Sequence, residues 1–148
     1  MRIDESLRNV KRLFLDSAPV IYHVEANSRY CSLTADILAR IDRGLLTAVT
    51  SPITLAACLV IPYQQGRVKL QQTFTNLIVN SKNTELFPID QTVASYAAEM
   101  RSRYNLSLLD TMQVAIALAG NCDALLTNDL AFRRITKLPI LILEELEL

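Results

Sequence analysis

Leu13, Phe14 and Leu15 run without a polar break into Asp16, and Ser17, Ala18 and Pro19 then open a stretch with helical spacing. An unbroken apolar run ended by a polar turn is the pattern of a strand covered on both faces, as in parallel sheets. The pattern predicts a central strand over 13–15, with Asp16 at its carboxyl end, and a short helix over 18–24. Leu33, Ile37, Leu38 and Ile41 recur at helical spacing over 30–41, closed by Arg43-Gly44. A second strand is predicted over 45–50. The helix predicted over 53–61 is apolar almost all round, which predicts burial on most faces. Past Gly66, residues 68–79 form a helix with Lys69, Gln71, Gln72 and Asn76 on its polar face.

Residues 85–89 read as a third strand, ended by Asp90, and 91–103 as a helix with Val93, Tyr96, Ala97 and Met100 on one side. Ser107 stands in capping position with Asp110 three residues on, close to a capping box, and the helix runs to Ala119 before Gly120-Asn121 stops it. A fourth strand over 123–129 ends in an aspartate, as the first does. A helical turn over 131–135 and an edge strand over 139–143 complete the chain. Strands alternating with helices require right-handed crossovers and a parallel, doubly covered sheet. The expected class is α/β: a three-layer α/β/α sandwich around a central, mainly parallel sheet of about five strands, with all 148 residues in one domain.

Composition narrows the chemistry. Apolar residues make up 51% of the chain, yet no stretch approaches the ~20 consecutive apolar residues of a membrane span. The charged N-terminus lacks the apolar core of a secretion signal, so the cytoplasm is expected. Cys31, Cys58 and Cys122 are odd in number and far apart, which indicates neither a disulfide framework nor a zinc site, and Cys58 and Cys122 read as core. His23 is the one histidine, which excludes a His-pair metal site and a two-imidazole ribonuclease and leaves a surface residue of the first helix. Three single glycines provide no phosphate-cradling loop. Tyr63, Tyr96 and Tyr104 are too scattered for a stacking platform. Fifteen basic residues balance fifteen acidic ones, so any nucleic acid must be held by a local patch.

The acids carry the chemical signal. Asp16 alone reads equally as a helix cap. Placing the first and fourth strands side by side, however, brings Asp16 and Asp129 to one edge of the sheet, and Asp110, in the first turn of a helix, can point at the same crevice. Open α/β sheets bind ligands outside their carboxyl ends. Three carboxylates gathered there repel one another, and a hard divalent cation such as Mg²⁺ or Mn²⁺ removes the difficulty and suits displacement at phosphorus.

Phe14-Leu15-Asp16-Ser17 with Ile21, the Ser107-Leu108-Leu109-Asp110 helix start and Leu126-Thr127-Asn128-Asp129 resemble, in that order, the three best-known acidic motifs of PIN domains. The resemblance covers essentially the whole chain, and the length suits VapC-type toxins of toxin–antitoxin pairs. It implies a Mg²⁺- or Mn²⁺-dependent endoribonuclease that cleaves structured or translating RNA and is held inactive by a small antitoxin. On that resemblance Asp16, Asp110 and Asp129 are metal ligands, Ser17 and Thr127 support them through hydrogen bonds, and Asn128 is a neighbour. One departure stands out. The family's usual glutamate in a Ser-x-Ile-Thr-Leu-x-Glu pattern is matched here by Ala57, which implies weakened or absent cleavage, whether the exchange is natural or introduced. A catalytically silent binding module for an antitoxin or RNA is therefore the alternative. A phosphoacceptor receiver domain also gathers aspartates, but the first strand carries one acid here and Lys137 follows a helix. Arg133, Arg134 and Lys137, just past Asp129, read either as RNA phosphate anchors or as a solvated helix face. Apolar surface left by the helices leads to an expected homodimer. Neither a membrane nor DNA is an expected partner.

Overall fold

The structure, a computed structural model, describes residues 1–148. Five strands, β1 (Arg12–Leu15), β2 (Thr47–Thr50), β3 (Thr84–Leu86), β4 (Ala124–Thr127) and β5 (Ile140–Ile142), form one sheet in the order β3-β2-β1-β4-β5. Every pairing is parallel. Seven helices cover it: α1 (Ile3–Ser6), α2 (Ser17–Val24), α3 (Cys31–Asp42), α4 (Pro52–Gln64), α5 (Val68–Val79), α6 (Gln91–Arg103) and α7 (Leu108–Ala119). Short 3-10 turns follow β4 at Leu130–Arg134 and β5 at Leu143–Glu145.

Alternation along the central strands decides which helices go where. Leu13, Leu15, Ala48, Ala124 and Leu126 face one side and pack with Val20, Leu33, Ile37, Phe74 and Ile78 of α2, α3 and α5. Phe14, Val49 and Leu125 face the other and pack with Val93, Ala97, Met100, Val114 and Ile116 of α6 and α7. Burial on both faces is why these strands read as unbroken apolar runs. Side-chain caps start four helices: Asp16 accepts from the Ser17 amide, Ser51 from Thr54, Asp90 from Val93 and Ser107 from Asp110.

The chain leaves β1 to build β2 and β3 on one side, then returns to place β4 and β5 on the other. The reversal lies between β1 and β4, paired from Leu13↔Ala124 to Leu15↔Leu126, and the crevice beyond their carboxyl ends is the switch point of the sheet. The same order excludes a receiver domain, whose strands run 2-1-3-4-5.

Several expectations are corrected. The predicted 85–89 strand shrinks to Thr84–Leu86 because Pro88 cannot donate to the ladder. α1, hidden in a charged stretch, carried no readable period, yet it buries Ile3. α4 is not buried on most faces. Its buried residues are Thr54, Cys58 and Pro62, whereas Val60, Ile61 and Tyr63 are 52–64% exposed. Part of the exposed apolar surface lies at these residues and at Val68, and more lies elsewhere, at Leu45, Leu108, Leu109 and Leu130 among others. His23 is half-buried rather than superficial, and burial lowers its pKa. No helix is long and apolar enough to cross a membrane.

Candidate metal centre

Asp16 follows the last residue of β1 and its amide donates to Leu126 O of β4 at 3.0 Å. Its carboxylate serves both of the roles read from the sequence. Oδ1 accepts the Ser17 amide at 2.9 Å, capping α2, and the Gln113 amide nitrogen at 3.3 Å. Oδ2 accepts the Thr127 hydroxyl at 2.7 Å. Thr127 in turn accepts the Asp129 amide at 3.1 Å, so one buried hydroxyl links the ends of β1 and β4. Asp129 caps the following 3-10 turn, Oδ1 taking the Ala131 amide at 2.9 Å. Asp110 sits in the first turn of α7, where Ser107 Oγ accepts its amide at 3.1 Å.

Asp16, Asp110 and Asp129 line one crevice together with Ser17, Ala18, Tyr22, Thr127, Asn128 and Leu130. Burial raises the Asp110 pKa, and the charges of Asp16 and then Asp129 push it further in the same direction, against the Ser107 hydroxyl that lowers it. Like charges thus meet in a partly desolvated place, a cost that a cation relieves. The polar side chains lining the crevice offer oxygen and amide groups, with no thiol or imidazole among them. That donor set fits a hard ion such as Mg²⁺ or Mn²⁺. No three acidic, cysteine or histidine side chains approach closely enough to enclose a bare ion, so a cation here fits as a hydrated one, which is how Mg²⁺ is commonly held.

Gln113 escaped sequence reading because a lone amide in an apolar helix gives no signal. Almost fully buried, it donates to Thr54 Oγ1 at 2.9 Å, accepts from Ser51 Oγ and reaches Asp16. Thr54 donates to Leu15 O at 2.9 Å, tying the start of α4 to the end of β1. No buried side-chain polar atom is left without a partner, so the network is fully satisfied and holds Asp16 in one orientation.

Other expected site residues are placed as follows. Ser17 supports Asp16 through its backbone amide. Asn128 lines the crevice but accepts the Glu144 amide at 2.9 Å and approaches the Tyr22 hydroxyl at 3.5 Å. Ala57 is exposed on α4, one residue before buried Cys58, whose thiol is pushed up to about 12 by burial and then by the charges of Asp16 and Glu25. Position 57 itself does not line the crevice. Arg133, Arg134 and Lys137 do not line it either. Arg133 pairs with Glu145, Arg134 donates to Asn105 O at 2.7 Å, and Lys137 donates to the Tyr96 hydroxyl at 3.0 Å and lies over its ring.

Fold and site together define an α/β protein with an acid-lined crevice at the switch point of a parallel sheet. The chain belongs to the PIN domain family, whose model matches residues 13–138. Among solved structures it is similar to VapBC2 from Rickettsia felis bound to a DNA fragment from their promoter, with 19% identity and a TM-score of 0.70, covering 88% of this chain and 98% of that one. It is similar to the Mycobacterium tuberculosis sarcin-ricin loop cleaving toxin VapC20, with 12% identity and a TM-score of 0.63, covering 76% and 86%. It also matches DNA-bound VapBC from Salmonella typhimurium, with 16% identity and a TM-score of 0.62, covering 90% and 98%. A search of curated protein sequences finds no significant match. The structures bound to DNA correct the expectation that DNA plays no part around this fold. A charge count on one neutral chain is blind to what a complex binds as a whole.

Proposed function

We propose that this protein is a toxin ribonuclease of a toxin–antitoxin pair, a cytoplasmic Mg²⁺- or Mn²⁺-dependent endoribonuclease weakened by alanine at position 57. The observation that carries the reading is the meeting of Asp16, Asp110 and Asp129 in one crevice, with Asp16 immobilised by Thr127 and Gln113. Asp16, Asp110 and Asp129 would hold the cation, which when bound supplies charge neutralisation at the phosphate and a more acidic water. Ser17, Thr127 and Gln113 keep the Asp16 carboxylate from turning, and a fixed ligand orientation supports metal affinity. Asn128 positions the crevice wall through Tyr22. Arg133 and Arg134 at the end of the 3-10 turn and Lys137 just past it supply positive charge, and their exposed contacts are weak enough to be exchanged for phosphates.

The similarity to VapBC complexes supports a small antitoxin as the partner that holds the enzyme inactive, and a place for the pair on DNA. The test is cleavage of purified RNA with Mn²⁺, with EDTA, and by Asp129→Asn. Weak cleavage that needs Mn²⁺ and disappears in the variant is expected. Cleavage that survives both EDTA and the variant would overturn the reading. Ala57 favours a second reading, a silent PIN-fold module that binds antitoxin or RNA, and antitoxin binding with no cleavage under any condition selects it.

A further inference from the structure

Glu144 and Glu145 lie in the 3-10 turn Leu143–Glu145 that follows β5, and the metal chemistry uses neither. Buried Leu143 and Leu146 anchor the turn on either side, and a parallel bridge between Arg2 and Glu147 holds the chain just beyond it. The Glu144 amide donates to Asn128 Oδ1 at 2.9 Å, and Asn128 lines the acid crevice. The turn is thus fastened to the crevice wall by its backbone. The two carboxylate side chains stay 47% and 49% exposed, which leaves them free to turn.

Each carboxylate holds an arginine. Glu144 accepts from the Arg29 guanidinium at 3.3 Å, and Glu145 accepts from Arg133. Arg133 belongs to the 3-10 turn that Asp129 caps. Arg29 comes from the loop between α2 and α3, where Asn27 Oδ1 accepts the amides of Arg29 at 2.9 Å and Tyr30 at 3.1 Å. Its guanidinium lies 5.3 Å from the Tyr30 centroid, and Tyr30 stacks at 5.0 Å on Tyr22, which lines the crevice. Two arginines from distant parts of the chain therefore converge on one acidic turn at the crevice wall.

A guanidinium binds phosphate through the same charge-assisted fork with which it binds a carboxylate. Here both guanidiniums are already taken by the protein's own carboxylates, which stand where phosphate oxygens would. We propose that Glu144 and Glu145 are an electrostatic brake on RNA binding: they mask Arg29 and Arg133, and an RNA backbone at the crevice gains those two contacts only by displacing them. Displacement needs side-chain rotation alone, because the bonds to Asn128 and Arg2 are made by the backbone. Exposed ion pairs are weak, so the brake lowers affinity without forbidding binding. This inference rests on the nuclease reading above and adds a control on its substrate affinity.

The test measures anisotropy of a labelled oligoribonucleotide, with Asp129→Asn in every protein to stop cleavage, since asparagine also caps a helical turn. Glu144→Gln and Glu145→Gln keep the side-chain size and every backbone bond. Each should tighten binding roughly two- to fivefold, the worth of an exposed ion pair. Glu5→Gln, at an exposed position outside every ion pair, makes the same change in net charge and should leave affinity unaltered at physiological salt. Arg133→Gln should weaken binding and reduce the salt slope by about one. In that background Glu145→Gln should gain nothing, and Arg29→Gln should likewise cancel the gain of Glu144→Gln. A gain that persists without the arginine, a gain that Glu5→Gln reproduces, or no gain in either glutamine variant would overturn the brake. So would a change confined to antitoxin binding. Cleavage assays with Asp129 intact separate the two ideas. Mn²⁺-dependent cleavage with unchanged RNA affinity in both glutamine variants removes the brake and keeps the nuclease. An arginine-dependent gain in affinity without any cleavage keeps the brake and removes the nuclease.

Discussion

Thr127 donates its hydroxyl to Asp16 Oδ2 at 2.7 Å from a fully buried position at the end of β4. Thr127 Oγ1 also accepts the Asp129 amide, so the two strand-end aspartates that stood out in the sequence share a single side chain between them. The separation of 111 residues between Asp16 and Thr127 is closed by the β1–β4 register, not by any local motif.

Thr127→Val keeps the shape of the side chain and removes the shared hydroxyl. It leaves the Asp129 amide and one Asp16 lone pair without their partner in a partly buried place, a loss of about 1 kcal/mol. For a chain of this size the melting temperature should fall by a few degrees, on the order of 2–4 °C per kcal/mol, while Thr127→Ser should recover most of the loss. An unchanged urea midpoint in Thr127→Val would show that the bond contributes nothing.

Asp110 gives a pH dependence with a definite sign. Its pKa in the fold is raised above the ordinary 3.8 by burial first and by Asp16 and Asp129 after it. A raised folded value means that the folded state favours the protonated acid. This contribution to stability is fully present below pH 3.8 and is lost as pH rises through the raised folded value. In EDTA, Asp110→Asn should remove that part of the pH dependence and be no less stable than the parent at neutral pH. In Mn²⁺ the order should reverse, because the parent gains more from the ion. A variant that Mn²⁺ stabilises as much as the parent would take Asp110 out of the site.

The sequence was most legible where local pattern and tertiary role agree. The doubly buried strands announce themselves as Leu13-Phe14-Leu15 and Ala124-Leu125-Leu126, and the bounds of α5 follow from its period and those of α6 from its period and the Asp90 cap. Legibility failed where tertiary contact decides. The far end of α4 reads as core, yet Val60, Ile61 and Tyr63 are exposed. Gln113 is silent as a letter and becomes a support of Asp16 only when α7 crosses the start of α4. The Tyr22–Tyr30 stack was invisible for the same kind of reason: eight positions apart, the rings meet only because Asn27 folds the loop back.

The cysteines should react in a fixed order. Cys58 and Cys122 are buried, and each thiol is pushed up to about 12, chiefly by burial, whereas Cys31 is partly exposed. The thiolate is the reactive form. Native protein at mildly alkaline pH should therefore label at Cys31 first, with the other two roughly a hundredfold slower or more until urea is added. Mass spectrometry of the time course reads this directly, and labelling of Cys58 as fast as Cys31 would show that α4 opens beside Asp16.

Position 57 offers the sharpest test of the metal site. Ala57 is exposed, so a glutamate there meets no packing barrier, and its cost in helix propensity is a few tenths of a kcal/mol. Its carboxylate would stand one residue from Cys58, a position that already feels the charges of Asp16 and Glu25. Without metal the added charge increases repulsion, so the melting temperature of Ala57→Glu in EDTA should stay level or fall. With metal the same charge is a further hard oxygen donor, direct or through water, and a supporting group of that kind is worth about ten- to a hundredfold in affinity or activity. Mn²⁺ affinity by calorimetry and RNA cleavage should therefore rise together in Ala57→Glu, while Ala57→Gln, which has the size but not the charge, should gain little in either. Equal Mn²⁺ affinity and equal cleavage in all three proteins would place position 57 outside the site and remove alanine as the reason for weak activity.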